Sequence, residues 1–557
     1  MIKIFCLNTR SFIDVEGGLT LMQLAVRLGS DLDFTPICAR VNNKTENLAF
    51  SIYQPKQVEF LPAESPTGRR VVARSLCMLL YRAVYEINPD LRLRFEHSIS
   101  KGILCNIYDA GQRPFVPDDV FVGRVNEIMR RLVEQNIPFM EREAPTPDVT
   151  AIFRRQGLES KALLLDTAAE LYTSYYTLDG VADSYYSALA PTTGFLRVFD
   201  VVKYHDGLLL LGPDTSNPDL PQQPETQEKM LAAYKEHVLF NRTIKVSDVG
   251  QLNVAVRERH TAQLINVAEA MHEKYLGKIA ARIAALHAEG GARIVMLAGP
   301  SSSGKTTTCK RLGIQLMTNL LTPKMISLDD YFVDRRHTPL DESGDYDYES
   351  LYALDLERLN SDLSRLLAGE EINLPTYSFE LGERIERHRP LRLEPDEVLL
   401  IEGIHGLNPE LTRSLPADKI FKVYVSALTS LSIDDHNWIS TTDNRMLRRI
   451  VRDHKYRHTS AQETIRRWPS VRRGEEKWIF PYQENADATF NSSLIFELGV
   501  MKSYAEPLLR QVPHNSPEYT EAYRLLKFLN YFDSIPADQV PSTSLLREFL
   551  GGSSFHY

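Results

Sequence analysis

Cysteine is scarce and unpatterned in these 557 residues: Cys6, Cys38, Cys77, Cys105 and Cys309 are odd in number, scattered, and form no Cys-x-x-Cys pair. That excludes a disulfide framework and a cysteine zinc site, and suits buried thiols in a reducing compartment. No apolar run nears the roughly 18 residues that a bilayer span needs, and Met1–Cys6 opens like a strand rather than a signal peptide. The expectation is a cytoplasmic protein without membrane contact. Positive charge is also in deficit, since 64 Lys and Arg against 73 Asp and Glu give a formal charge of -9. A whole-surface nucleic-acid binder is therefore disfavoured, although a local basic groove stays open. A guanine-reading motif is missing as well, because the only Asn-Lys pair, Asn43-Lys44, lacks an Asp two positions on. With 43% hydrophobic and 25% charged residues the chain has an ordinary globular composition. Its length suggests roughly three or four domains.

What is present is concentrated in one stretch. Ile294-Val295-Met296-Leu297-Ala298 reads as a buried strand and runs into Gly299-Pro300-Ser301-Ser302-Ser303-Gly304-Lys305-Thr306, after which Thr306–Met317 reads as a helix. Gly-x-x-x-x-Gly-Lys-Thr between a strand and a helix is a phosphate-binding loop in its confirming context. Gly299 and Gly304 permit backbone angles that turn successive N–H groups inward, and the positive end of the helix adds to them. Ser301, Ser302, Ser303 and Thr307 belong to the same polyphosphate cradle. Lys305 would reach the terminal phosphates of ATP, and the Thr306 hydroxyl would ligate Mg²⁺.

Two acidic strand ends follow. Met325–Phe332 is an apolar strand closing on Asp329, Asp330 and two aromatics, where a carboxylate can take the proton of an attacking hydroxyl or order magnesium waters. Val398–Gly403 is a second buried strand tipped with Glu402, which can hold water on magnesium beside Thr306. Arg445, Arg448, Arg449, Arg452, Lys455 and Arg457, then Arg466, Arg467, Arg472 and Arg473, form the most basic run of an acidic chain. A solvated helix face or a nucleic-acid patch would look similar. Behind a phosphate loop it reads best as a mobile basic lid that excludes water and neutralises charge on a transferred phosphoryl group.

Taken together, these residues resemble the uridine kinase family, a branch of P-loop kinases related to phosphoribulokinase and pantothenate kinase, over roughly residues 291–500. The resemblance implies that Asp329 is the catalytic base, that Phe332 walls the base pocket, and that Asp347 holds the ribose hydroxyls. It matches Tyr377 and Phe379 to a base-binding Tyr-x-Phe and Glu402 to a magnesium-associated acid. Arg449 falls on a sugar contact, Arg452 on a phosphate contact and Arg457 on a further lid arginine. Two positions depart: Gly382 stands where the family has a His that reads the pyrimidine edge, and Thr459 where it has its last lid arginine. The implied activity is ATP- and Mg²⁺-dependent transfer to the 5′-hydroxyl of a nucleoside, in nucleotide salvage, with the base undecided. Transfer to another small alcohol, such as a sugar phosphate or pantothenate, is the alternative.

The front of the chain reads differently. Residues 1–64 combine an alternating strand, a helix opening at Thr20 and further strands at 37–41 and 57–61, and resemble the TGS domain, a ubiquitin-like β-grasp module of threonyl-tRNA synthetases. Residues 65–250, with a long helix from about Arg70 to Ile87 and strand-like segments near 194–198 and 208–211, are similar to the editing domain that follows it there. The family's four editing positions fall on Arg74, Met78, Tyr185 and Leu189, none of which can serve as metal ligand or water-activating base there. The implied role is a retained scaffold. A proline-rich loop spans 213–224, residues 251–290 are expected as a connecting amphipathic helix, and 291–557 form the kinase unit. The expected fold is α/β with a parallel sheet, preceded by two α+β units. A homo-oligomer is expected, as is tRNA or ribosome contact by the front half, and an RNA-associated regulatory ATPase is the reading from a different class.

Overall fold

The computed structural model describes residues 1–341, 344–378, 380–385 and 387–556. At the front, β1 (Ile2–Cys6) pairs antiparallel with β2 (Ser11–Val15). The helix α1 (Leu21–Leu28) then begins on a capping box in which Thr20 and Gln23 satisfy each other's backbone amides. It lays Leu21, Leu24, Ala25 and Leu28 on the sheet. With β3 (Cys38–Val41), β4 (Lys44–Glu46) and β5 (Gln57–Leu61), the strand order is β2-β1-β5-β3-β4, and β1 and β5 are the parallel pair at its middle.

The second unit is built on α2 (Pro66–Ile87), which starts four residues earlier than the apolar pattern suggests. Ser65 accepts the Gly68 amide and Pro66 takes the first helical position, where a missing N–H costs nothing. Two sheets surround it: β6 (Arg92–Ile99) and β7 (Gly102–Tyr108) lie in one, and β8 (Met140–Pro145), β9 (Tyr172–Leu178) and β10 (Val181–Asp183) form the other. The segment expected as a strand near 194–198 is instead a 3₁₀ turn at Thr193–Phe195. Thr193 Oγ1 donates to Leu132 O at 2.6 Å and accepts the Ile137 amide at 2.8 Å, side-chain bonds that hold a turn in place of a ladder. The strand comes later, as β11 (Asp200–Tyr204), beside β12 (Gly207–Leu211).

Residues 251–290 hold two helices, and the long amphipathic one lies where the apolar repeat places it, from about His260 to Ala288. A helix over Val249–Arg257 ends at Arg259, whose φ of 63° is left-handed, and α3 (Thr261–Ala288) starts afresh. Leu264, Ile265, Leu276, Ile279 and Ile283 share one buried core with Val295 and Leu297, so α3 walls the main sheet rather than bridging to it. That sheet contains β13 (Ile294–Ala298), β14 (Thr322–Ser327), β15 (Glu397–Glu402), β16 (Ile420–Ser426) and β17 (Ala488–Asn491). All pairings are parallel and the order is β14-β15-β13-β16-β17. Between β13 and β14 runs α4 (Lys305–Thr318). The expected α/β class with a parallel sheet is what the structure has.

The basic run is helical, and part of it is buried. It folds into α5 (Thr441–Arg457) and α6 (Ala461–Trp478), with Arg445 and Arg448 only 1% and 0% exposed. Each is matched by a buried acid, Glu475 and Glu497 respectively, which is how guanidinium groups can sit in a core.

A hairpin of this last unit, Ser432–Trp438, inserts into the second unit. Lys161 Nζ lies 2.8 Å from Asp183 and 2.9 Å from Asp434 of the hairpin, and His436 Nδ1 lies 2.8 Å from Asp183. Tyr185 donates to Asp183 at 2.7 Å. Neighbouring Arg74 stacks on Tyr186, while Met78 and Leu189 are buried in apolar core. All five cysteines are free and buried. Among the described residues no helix is long and apolar enough to cross a membrane.

Candidate active site

The order of the sheet creates the site. The chain leaves β13 for β14 on one side and later reaches β16 on the other, so a crevice opens at the carboxyl ends of β13 and β15. The phosphate loop follows β13, and Glu402, paired in register with Leu297 and with Ser327, ends β15 beside it.

The loop is fixed from outside. Ser301 O accepts from Arg445 Nε at 2.9 Å, Ser302 O from Arg448 at 3.4 Å, and Ser303 O from the Ser492 hydroxyl at 2.5 Å. In a trans peptide the N–H points opposite the C=O, so capping the Ser301 and Ser303 carbonyls turns the Ser302 and Gly304 amides inward. Gly304 has a φ of +84°, and a Cβ on Gly299 would come within 2.0 Å of Val425 O. Both positions therefore require glycine. The hydroxyls of Ser302 and Ser303 are buried with no hydrogen-bond partner among the described residues. Inward amides, orphaned hydroxyls and a helix N-terminus make a set of donors that fits a polyphosphate.

Carboxylates face this loop. Lys305 Nζ donates to Pro300 O at 3.2 Å, and desolvation lowers its pKa while Glu402, Glu548, Asp329 and Glu349 oppose that shift. Burial pushes Glu402 up to about 7, with Asp329 adding to the shift and Lys305 and the Ser327 hydroxyl, 3.1 Å away, opposing it. Asp329 stands at the open mouth of the cleft, yet crowding by the surrounding chain raises its carboxyl, which Lys305 and Arg457 counter. Its neighbour Asp330 is taken up by Arg389 at 3.1 Å. The two adjacent carboxylates thus have different surroundings, and only Asp329 faces the loop lysine.

Arg449, Arg452 and Arg457 converge on Asp453, at 3.2, 2.9 and 3.6 Å. Arg449 also donates to Ser301 Oγ at 3.0 Å. Asp347 accepts the Glu349 amide at 3.2 Å on the rim. Phe332 and Tyr377 pack with ring centres 5.6 Å apart, and Tyr348 lies edge-on to Phe332 at 6.4 Å. Phe379 lies outside the described residues. At Gly382, with φ of +74°, a Cβ would meet the Arg335 guanidinium at 2.6 Å. The position expected to lack a base-reading side chain is thus covered by an arginine from elsewhere in the chain.

Among the described residues no group of three His, Cys, Asp or Glu gathers closely enough to hold a metal. Thr306, at the first turn of α4, and Glu402 could contribute to a magnesium site that takes most of its oxygens from phosphate and water.

Several participants went unread in the sequence. Glu349, pushed up to about 7 by burial and by Glu475, sits among Lys305, Arg449 and Glu475. Glu475 accepts the Ser301 amide at 3.2 Å, and Glu497 and Ser492 anchor Arg448. The i, i+3 spacing of Arg445 and Arg448 puts both on one helix face, a signal for a shared partner, but nothing in the sequence says that partner is the loop.

Residues 294–494 match the Phosphoribulokinase / Uridine kinase family. A uridine kinase of Brevibacillus brevis is 30% identical over 199 residues, which is 36% of this chain and 84% of the relative. One of Anoxybacillus flavithermus is 30% identical over 195 residues, covering 35% of this chain and 83% of its own. The solved structure of a possible uridine kinase from Bacillus stearothermophilus is 22% identical, covers 36% of this chain and 89% of its own, and overlays with a TM-score of 0.24, too slight to argue from. A phosphate loop at the head of a parallel sheet, acids at the carboxyl ends of β14 and β15 on one side of it, and this degree of identity over most of a relative's length lead to one conclusion: through residues 294–494, the chain belongs to the Phosphoribulokinase / Uridine kinase family.

Proposed function

We propose that the protein is a kinase that transfers the γ-phosphoryl group of ATP to the 5′-hydroxyl of a nucleoside. The single observation that carries this reading is the placement of Asp329 opposite Lys305, an open carboxylate facing the loop that would hold the phosphates. Asp329 takes the proton of the acceptor hydroxyl as its oxygen bonds to phosphorus, and the bond to the leaving ADP oxygen breaks. Lys305, Arg452 and Arg457 face the charge that builds on the moving group. Arg449 and Asp347 hold the sugar, and Phe332 with Tyr377 flanks its base. Mg²⁺, held by Thr306 and by water on Glu402, would neutralise phosphate oxygens.

Arg335 over Gly382 favours keeping a second acceptor class in view, because a guanidinium there suits an anionic alcohol such as a sugar phosphate. ATP consumption with Mg²⁺ over a panel of nucleosides, pantothenate and ribulose 5-phosphate separates the two. Turnover of a nucleoside supports the first reading, turnover only of an anionic acceptor supports the second, and phosphorylation of none removes both.

The sheet order of residues 1–64, with its parallel central pair and crossing helix, supports a TGS-like β-grasp unit. The burial of Met78 and Leu189 supports an editing-like scaffold without editing chemistry. RNA contact by this half is tested by filter binding of tRNA to the full chain at low salt.

A further inference from the structure

The stretch after residue 530 lies outside the family match and carries no motif, yet it is packed on the phosphate loop. Leu545, Leu546, Phe549 and Leu550 are buried, and the four-residue helix Arg547–Leu550 brings Glu548 onto the first turn of α4. Glu548 Oε2 accepts the Thr307 hydroxyl at 2.6 Å and the Thr307 amide at 3.2 Å. Leu545 closes on Gly304 so tightly that a Cβ there would be 2.6 Å from its methyl. From the other side α5 holds the segment: the Arg448 guanidinium lies 5.1 Å from the Phe549 ring, and Lys455 Nζ donates to Leu550 O at 2.9 Å.

The amides in the first turn of α4 have no intrahelical acceptors, and an anion is their natural partner. Thr307 offers such an amide together with a hydroxyl, and Glu548 occupies both. A carboxylate and a phosphate oxygen compete for the same two donors, and two anions cannot share them. We infer that residues 540–556 are an autoinhibitory strap: Glu548 stands in for a phosphate at Thr307 and must leave before a polyphosphate can seat. This rests on the loop being the ATP site. The strap has two parts. Leu545, Phe549 and the bond to Lys455 are its anchor, and Glu548 is its latch. Release of the latch frees the short helix Arg547–Leu550 from the first turn of α4 and loosens its backbone, while the apolar wall of Leu545 over Gly304 can stay. Because the anchor is held by α5, which also carries Arg449, Arg452 and Arg457, the latch and the phosphate-facing arginines are joined through one helix.

The test is equilibrium binding of ATP to the full chain and to Glu548→Gln and Glu548→Ala. Amide hydrogen exchange in residues 544–550 of the unaltered protein is followed with and without saturating ATP. If the latch is closed nine-tenths of the time, both substitutions tighten ATP about tenfold, and ATP accelerates exchange in the strap. Unchanged or weaker affinity in the variants overturns the strap while leaving the ATP site intact. Failure of all three proteins to retain ATP overturns the site reading and the strap with it. Should the variants not fold, exchange in the unaltered protein decides: faster exchange with ATP supports the latch, and unchanged or slower exchange refutes it.

Discussion

Asp329 and Asp330 are adjacent in sequence and unlike in surroundings. Because Arg389 engages Asp330 and leaves Asp329 facing Lys305 and Arg457, replacing Asp329 by Asn is expected to preserve ATP affinity and lower turnover by about 10²–10⁴-fold. Single-turnover kinetics beside ATP titration would measure both, and near-normal turnover would remove Asp329 from the base role. Glu402, raised to about 7, must be ionised to hold water on a metal. Turnover is therefore expected to climb as pH rises through about 7. The limb belongs to Glu402, whose carboxyl burial raises first and Asp329 raises further. Glu402→Gln should abolish it in a pH–rate profile. Glu349 gives a stability counterpart. Its folded pKa of about 7 exceeds the ordinary glutamate value of 4.5, so the folded chain keeps a proton that the unfolded chain releases between those values. Stability falls as pH rises through that window. Glu349→Gln is expected to stabilise the protein by up to about 3 kcal/mol at pH 8 and by nothing near pH 4, as calorimetry at the two pH values would show.

At the scale of elements, the hairpin Ser432–Trp438 matters more than its length suggests. Lys161 is shared by Asp183 and Asp434, and all three are buried. Removing the lysine leaves two acids without their cation, so Lys161→Met should cost about 3–5 kcal/mol in denaturant unfolding. A cost under about 1 kcal/mol, the range of exposed pairs, would mean that water reaches the cluster. The basic helices make the same point about function. In the sequence Arg445 and Arg448 are two of many positive charges. In the structure they are braces whose guanidinium groups hold the loop carbonyls outward, while Arg449 reaches the Ser301 hydroxyl and, with Arg452 and Arg457, pairs with Asp453. Charge counting cannot separate the two groups, because they differ in which neighbours they meet and not in residue type.

For the whole molecule, the boundary at residue 291 suggested by motif order cuts through a core. Leu264, Ile265, Leu276, Ile279 and Ile283 of α3 pack with Val295 and Leu297 beneath the loop. A fragment of residues 291–557 would expose that face and is expected to lose cooperative unfolding, as a calorimetric scan against the full chain would show. A sharp single transition in the fragment would prove α3 dispensable.

What the amino-acid order decided by itself is local. Gly299 and Gly304 must be glycine, an apolar run must be a strand, Lys305 and Thr306 must open a helix, and an acid must close each of the two later apolar runs, because backbone sterics and hydrophobic period act over a few residues. Tertiary structure alone decided which of ten basic residues touch the loop, that Glu475 accepts one of its amides with Glu349 nearby, that Arg335 covers Gly382, and that Glu548 closes on Thr307 from 241 positions away. Such pairings are fixed by packing between segments far apart in the chain. Burial and partner choice depend on that packing, and no periodicity records it.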